Sequence, residues 1–239
     1  MAIFSSLLRN NSYTITEVIT ISSIPAKKSP EQSKPKMVGR PKSSEKRQQI
    51  LHHAGELFLQ QGYDRTSMDA VAKHSGVSKQ TVYSHFQNKD VLYNAVIESK
   101  CEEYRVEEAA IGIDSNPLDD ILYSIAFQFI QLLNDKRVIA MYSVVIGESK
   151  NNLHLAQLFY NAGPSHSINL VKDLLMKHPE SKLLESDAKE LATDFFNLLK
   201  GNYHMLSMLG LAYEQELAEL KAYARKVVTK TLKIAELFN

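Results

Sequence analysis

Residues 66–89 read TSMDAVAKHSGVSKQTVYSHFQNK, which is two short helical patterns separated by a turn. Thr66 is predicted to cap the first helix, and Asp69 follows at the spacing of a capping box. The Ser-Gly pair at 75–76 ends this helix, because glycine accepts the left-handed conformation that a sharp exit requires. Ser78 is predicted to cap the second helix. The stretch therefore predicts a helix-turn-helix.

The second helix has two unlike faces. Val82 and Phe86 fall on one face, where they can pack against the first helix. The opposite face carries hydrogen-bonding side chains, with a single lysine and no acidic group. Such a face suits base edges and phosphates in a DNA major groove. A polar outer face is also common on short amphipathic helices, so this helix alone leaves both interpretations open.

A longer run of residues carries a family pattern. It includes G-Y-x-x-T-S at 62–67 and then V-A-x-x-S-G-V-S-K-x-T-V-Y-x-H-F-x-N-K-D-x-L. Together with a long preceding helix, this pattern resembles the DNA-binding domain of the TetR family of transcriptional regulators over residues 45–95. Gln80 departs from the pattern, since many members have glycine there. The longer side chain can reach a base edge, which favours an altered target sequence.

The resemblance implies a protein that binds double-stranded DNA through the second helix. We expect the base-reading side chains to be Lys79, Gln80, Thr81 and Tyr83. Phosphate contacts fix the register on DNA without reading its sequence. We expect these contacts from Arg40, Thr66, Ser67, His85 and Lys89.

Charge is distributed unevenly along the chain. Residues 1–36 carry five basic and two acidic side chains, and residues 37–89 carry eight basic and four acidic ones. Residues 90–239 instead carry 15 basic and 21 acidic side chains. A basic head on an acidic body is typical of a nucleic-acid-binding protein, although an excess of this size proves little alone.

Composition narrows the class of protein. Hydrophobic residues make up 44% of the 239-residue chain, and Cys101 is its single cysteine. One cysteine excludes an intrachain disulfide and fits a reducing compartment. The sequence has no run of about 18 apolar residues and no convincing signal peptide, so we expect no membrane span. These features predict a cytoplasmic protein.

The first 36 residues are expected to lie outside the folded protein. Their Pro-, Lys- and Ser-rich end is typical of a flexible linker, and Met37 begins a sequence typical of such regulators. We interpret residues 1–36 as a disordered or non-native extension. A genuine tail that adds nonspecific phosphate affinity is the alternative. Residues 38–46 are basic and either contact DNA or form a solvated tail.

The remaining chain predicts an all-α protein with two domains. Residues 37–95 would form the helix-turn-helix DNA-binding domain, and residues 96–239 a helical ligand-binding and dimerisation domain. About five helices are expected after residue 116, with Gly163-Pro164 bending or dividing one of them. The strings RVIAMYSVVIGES and LAQLFYNAGP resemble the AefR-like subgroup of the family.

The last two long helices are predicted to pair with those of a second subunit in a four-helix bundle. Apolar residues recur there at spacings of three and four, and the same stripes are also compatible with the core of one subunit. The predicted interface residues are Leu191, Phe195, Leu198, Leu217, Leu220, Ala224, Val227 and Thr231. A dimer would place two reading helices in successive major grooves, which predicts a palindromic operator.

The body is rich in aromatic, Met and His side chains, which suit an apolar cavity for a small lipophilic effector. An ordinary helical core uses the same residue types. The candidate ligand-binding residues are Tyr123, Phe127, Met141, Tyr142, Phe159, Phe196, His204 and Met208. No metal-ligand spacing is present, and we expect no metal or cofactor.

The sequence therefore predicts a homodimeric, ligand-responsive transcriptional regulator, and repressors are the commonest kind in the family it resembles. A helix-turn-helix protein whose body docks a protein partner is the alternative. An enzyme is the rival from another class. The chain lacks a G-x-S-x-G elbow, a Gly-rich phosphate loop and an H-E-x-x-H motif, which argues against that class.

Overall fold

A computed structural model of the protein describes residues 44–105, 112–113 and 115–238. The predictions made for residues 1–36 and for Arg40 lie outside these described residues. Within them the chain is helical and contains no strand, so the all-α prediction is confirmed.

Ten α-helices follow one another along the described residues, with a π-helical turn (Asn161–Ser165) between the seventh and the eighth and a 3-10 turn (Glu236–Phe238) after the last. They are α1 (Ser44–Arg65), α2 (Met68–His74), α3 (Lys79–His85), α4 (Lys89–Glu102), α5 (Leu118–Asn134), α6 (Lys136–Glu148), α7 (Leu153–Tyr160), α8 (His166–Lys177), α9 (Glu185–Met208) and α10 (Leu217–Ala235).

Side-chain caps define the helix-turn-helix formed by α2 and α3. The hydroxyl of Ser78 accepts a hydrogen bond from the amide of Thr81 at 3.1 Å, as the sequence predicts. Gly76 adopts a φ of 64° in the turn, a conformation that favours glycine. The predicted cap at Thr66 is wrong, because Ser67 caps α2 by accepting from the amide of Ala70.

Thr66 instead closes the end of α1. Its hydroxyl donates to the carbonyl oxygen of Gly62 at 2.8 Å, and the residue is only 1% exposed. Gly62 interrupts α1 with a φ of 80°, and a Cβ at this position would collide with the carboxylate of Glu148. The joint between α1 and α2 therefore depends on glycine both for its backbone and for the approach of α6.

Two hydrophobic clusters form the core of the described residues. The first joins α1–α4 to apolar side chains of α6 and α7, including Met141 and Phe159. Tyr93 lies at its centre, with ring centroids 5.0 Å from Phe58 and 5.3 Å from Tyr63. The second cluster joins α5, α8, α9 and α10. The DNA-reading helices therefore share a core with part of the body.

Pro164 lies inside the π-helical turn between α7 and α8. Proline has no amide hydrogen and collides with the preceding turn of an α-helix, so a wider turn accommodates it. Gly163 packs there against α4, where an added Cβ would lie 3.4 Å from Ile97 Cγ2. The dipeptide was expected to bend or divide a helix, and it lies in the π-helical turn that separates α7 from α8.

Most of the predicted dimer-interface residues lie in the core of their own subunit. Four of them belong to the second cluster, and exposure is between 0% and 2% at Leu191, Phe195, Ala224, Val227 and the buried polar residue Thr231. At these positions the stripes pack α9 and α10 against each other and against α5, so they present little surface to a second subunit. Leu198 and Leu220 are half-buried at the edge of this cluster. Leu217 is the one predicted member that is well exposed, at 54%.

Candidate nucleic-acid interface and effector cavity

Helix α3 presents a polar face to solvent. Val82 is completely buried on its inner side, which fixes the opposite side outward. Gln80 is exposed, and Tyr83 is 44% exposed. Thr81 is half-buried, and its hydroxyl lies 2.8 Å from the Ser78 hydroxyl. Gln80 and Tyr83 are therefore the side chains best placed to touch bases.

Lys79 is tied to the preceding helix. Its ammonium lies 2.8 Å from one carboxylate oxygen of Asp69 and 2.9 Å from the other. The hydrogen bond that Lys79 donates to Asp69 raises the pKa of Lys79. Both side chains are exposed, and such pairs exchange readily with solvent or with a phosphate. Lys79 can therefore reach DNA only by giving up Asp69.

The predicted phosphate-binding residues differ in how far they are exposed to solvent. Ser67 is exposed at the start of α2, where free backbone amides and the helix dipole favour an anion. His85 is half-buried beside Phe86. Burial leaves Thr66 no surface on which to receive a phosphate, so the structure does not support that prediction.

Lys89 is committed to the protein itself. Its ammonium donates to the carbonyl oxygens of Tyr63 at 2.9 Å and Asp64 at 3.3 Å, and it lies 4.2 Å from the Tyr63 ring centroid. These carbonyls end α1, where a cation is favourable. Lys89 therefore holds α1 to α4, and a role in phosphate binding would compete with this one.

A polar chain crosses from the head to the body. The Tyr63 hydroxyl donates to the Asp90 carboxylate, and the Nε2 atom of His154 lies 2.8 Å from its other oxygen. Nearby, the Asn152 side-chain amide donates to Asp64 Oδ1 at 3.0 Å. His154 and Asn152 belong to the start of α7, so these contacts link that helix to the ends of α1 and α4.

The chain through Asp90 predicts a pH-dependent contribution to stability. The hydrogen bond from Tyr63, helped by His154 and Lys89, holds the pKa of Asp90 below its ordinary value. A lowered carboxyl pKa stabilises the fold above the unfolded pKa of about 4 and loses this effect as pH falls through the folded value. The Asp90 side chain is 42% exposed, so we expect no more than about 1 kcal/mol.

We therefore expect Asp90→Asn to lower the free energy of unfolding near neutral pH, and the difference from the parent protein to shrink below about pH 4. Urea unfolding at a series of pH values measures this difference. A difference that stays constant down to the acid limit would contradict the role of the carboxylate charge.

A cavity of about 310 Å³ lies where the two hydrophobic clusters meet. We call it the junction cavity. Leu51 and Gly55 of α1 and Ile97 of α4 contribute to one side, and Phe196 and Lys200 of α9 contribute to another. The volume is at the lower end of the range for small-molecule sites. A ligand here would touch α1, which carries the helix-turn-helix.

The junction cavity includes half of the predicted ligand-binding residues. Met141, Tyr142, Phe159 and Phe196 line it, and burial raises the pKa of Tyr142 to about 12. The other four are placed elsewhere. Tyr123 and Phe127 stack on each other beside the cations of α10, His204 packs against the Tyr142 ring at 5.0 Å, and Met208 is half-buried near the end of α9.

Sequence reasoning missed Lys200, Phe129 and Gly55 as cavity residues. Phe129 packs edge-to-face on Phe196, with ring centroids 4.7 Å apart, and both residues line the junction cavity and a second cavity of about 410 Å³. A usable signal existed for Lys200, since it follows Phe196 by four residues and so shares its helix face. No pattern marks Gly55, which only its packing reveals.

Among the residues that the structure describes, no cluster of three or more His, Cys, Asp or Glu side chains could hold a metal ion. None of the described helices is both long and apolar enough to span a bilayer.

The fold and the exposed α3 face define a helix-turn-helix DNA-binding protein with a helical body. Two sequence-family descriptions match the chain in succession. Residues 50–96 match the family of bacterial regulatory proteins of the TetR type, and residues 120–234 match the C-terminal domain of AefR-like transcriptional repressors. The protein belongs to the TetR family of transcriptional regulators, and the sequence-based resemblance is confirmed.

Curated relatives are regulators of the same kind. The biofilm operon negative regulator IcaR of Staphylococcus epidermidis is 33% identical over 93 residues, which cover 39% of this chain and 49% of that protein. IcaR of Staphylococcus aureus is 28% identical over 151 residues, covering 63% of this chain and 76% of that one. The activator FasR of Mycolicibacterium smegmatis is 44% identical over 54 residues, covering 23% and 25%.

Solved structures share the fold. A TetR-family regulator from Mesorhizobium loti superimposes with a TM-score of 0.63 at 23% identity, covering 82% of this chain and 98% of that one. The flavonoid-responsive regulator FrrA superimposes with a TM-score of 0.58 at 28% identity, covering 80% and 97%. Both span the head and the body, so the whole described architecture is that of the family.

Proposed function

We propose that the protein is a homodimeric transcriptional repressor that binds a palindromic operator and releases it when a small effector occupies the body. The observation that carries this proposal is the exposed α3 face, with Gln80 and Tyr83 directed outward from a rigid inner side. The AefR-like and IcaR similarities support repression, and the similarity to the activator FasR covers only 23% of this chain. DNA binding would place the protein in the cytoplasm.

The dimer surface is reassigned from the buried stripes to the connection between α9 and α10. Large apolar side chains are exposed there, at Met205, Leu209, Leu211, Tyr213 and Leu217. The connection is ordered by the Leu211 amide, which donates to the Leu206 carbonyl oxygen at 2.8 Å and closes α9. A concentrated apolar surface marks a protein–protein interface, and we assign it to a second copy of this chain.

Such a pair would present two α3 helices to successive major grooves, about 34–36 Å apart. Each helix reads few bases alone, so the pairing supplies most of the affinity for a two-part site. Ser67 and the amides at the start of α2 would anchor the backbone of each half-site. Lys79 would exchange its ion pair with Asp69 for a contact with DNA. Its positive charge would therefore contribute to binding only when DNA is present.

The junction cavity supports the proposed effector response. Its walls combine α1 and α4 with α6 and α9, so an occupant contacts both the head and the body. An effector that fits one arrangement of these helices better than another shifts the population toward it by its differential affinity. FrrA, which shares the fold at 28% identity, is described as responsive to flavonoids, and this supports a small organic effector.

The DNA-binding proposal is tested by selecting sites from random DNA with the purified protein and then measuring Gln80→Ala. We expect the substitution to reduce discrimination at one position in each half-site by about 10-fold, since a good base contact is worth about 1–3 kcal/mol. Affinity for random DNA should remain nearly unchanged, because Gln80 carries no charge.

Fluorescence anisotropy with the selected operator and with single-base variants gives both numbers. Lys73→Ala is the matched control. Lys73 is exposed on α2, so this substitution removes a positive charge without changing the α3 face. It should weaken binding equally on every sequence and lower the salt dependence. If Gln80→Ala weakens all sequences equally while leaving discrimination intact, the assignment of α3 as the reading helix is wrong.

A further inference from the structure

The acidic side chains that line the junction cavity are paired with basic groups, but the basic side chains are not all paired with acidic ones. Two acidic side chains contribute to its lining, and both already face basic groups. Glu56 lies 3.4 Å from His52 and 3.3 Å from His53, and Glu103 lies 2.6 Å from Lys100. Lys100 is held further by Asp135 at 2.7 Å. These four pairs leave no acidic group on the cavity lining without a partner.

Two basic side chains of the lining have no acidic partner among the described residues, Arg137 and Lys200. Arg137 is exposed to solvent, whereas Lys200 is half-buried. Lys200 lines the cavity beside Phe196, and no hydrogen bond or ion pair to it occurs among the described residues. Burial lowers its pKa, which shows that the surroundings disfavour the charge. His204, which follows Lys200 beyond the non-helical residue Gly201, carries no negative charge in either protonation state and so supplies no counter-charge. Burial and the charge of Lys200 lower its pKa.

A half-buried cation without a counter-charge is costly unless an anion pairs with it. The surrounding walls are Met141, Phe159 and Phe196, which suit hydrocarbon or an aromatic ring. The site therefore favours a ligand that has one negative group attached to an apolar skeleton. The volume of about 310 Å³ limits that body to a compact ring system or a medium-length chain.

We propose that the effector is a lipophilic monocarboxylic acid whose carboxylate pairs with Lys200 and whose apolar body fills the junction cavity. This inference rests on the proposed effector response and narrows it to one chemical class. The Tyr142 side chain, on the same lining, would form part of the aromatic wall around the bound acid. The occupant would bridge α1 and α9, which are otherwise separated by the cavity.

The test compares each acid with a neutral compound of the same shape. Isothermal titration calorimetry would use 2-naphthoate against 2-naphthamide, and decanoate against decanol. A hydrogen bond to a charged group is worth about 1.5–3 kcal/mol, so we expect the better acid to bind about 10- to 100-fold more tightly than its neutral partner. Lys200→Met should remove this preference and leave the affinity for the neutral compound almost unchanged.

Two variants protect the test against trivial outcomes. Lys200→Arg keeps the charge and should retain the preference for the acid. Lys189→Met removes an exposed lysine from the same helix and should bind like the parent protein. Equal binding of acid and neutral compound, an unchanged preference in Lys200→Met, or no binding of any of the four probes would overturn the inference. Operator binding is measured separately, so failure of the DNA-binding proposal remains distinguishable.

Discussion

Replacing Leu209 and Leu217 together by glutamate is expected to turn the proposed dimer into a monomer and to lower operator affinity by about 100-fold or more. Both side chains are more than half exposed in the single chain, so the fold does not need them. A dimer that binds two half-sites at once has an affinity about 10²–10⁴ higher than that of a single subunit for one half-site. Charges placed on both sides of a two-fold interface remove that gain.

Sedimentation equilibrium measures the association, and anisotropy with the selected operator measures the affinity. The matched control is Leu184→Glu, because Leu184 is also highly exposed but lies before α9, outside the connection. It should associate and bind like the parent protein. A double glutamate variant that remains dimeric would show that the second copy docks on another surface, and the assignment of the connection would fall.

The second large effect concerns stability. Phe195→Ala is expected to lower the free energy of unfolding by about 3–5 kcal/mol, because removing a buried aromatic side chain loses its transfer energy and leaves a cavity. Phe195 is fully buried and packs edge-to-face on Phe196, with ring centroids 5.3 Å apart. The exposed neighbour Asn197 provides the control, and Asn197→Ala should change stability by less than about 0.5 kcal/mol.

Urea unfolding at one fixed protein concentration gives these values, since the stability of a dimer depends on concentration. The same variant also distinguishes whether the apolar residues of α9 pack in the core of one subunit or form the dimer interface. As a core residue, Phe195 should affect unfolding while the folded fraction still associates normally. Loss of association in a variant of unchanged stability would return Phe195 to the interface.

Local signals in the sequence predicted the head well. The cap at Ser78 and the turn at Gly76 depend on chain neighbours a few residues away, so their chemistry can be read from the sequence. Thr66 and Ser67 show the limit of this reasoning. Both residues can cap a helix, and what decides between them is the Gly62 carbonyl, which occupies the Thr66 hydroxyl.

The body was harder to predict because periodicity reveals a buried face without naming the surface that buries it. Phe195 and Ala224 lie on true apolar stripes, and both stripes are used inside one subunit. The candidate ligand residues show the same limit. Tyr142 and Tyr123 have equal claims in sequence, yet one lines the junction cavity and the other lies under Arg225, 3.9 Å from its guanidinium carbon.

Changing the spacing of the selected operator tests the central claim, that two α3 helices of one dimer read two half-sites. Five base pairs are inserted between the halves, which rotates one half by about half a helical turn of DNA. We predict that the parent dimer then binds each half no better than an isolated half-site. Undiminished affinity for the lengthened site would contradict the claim.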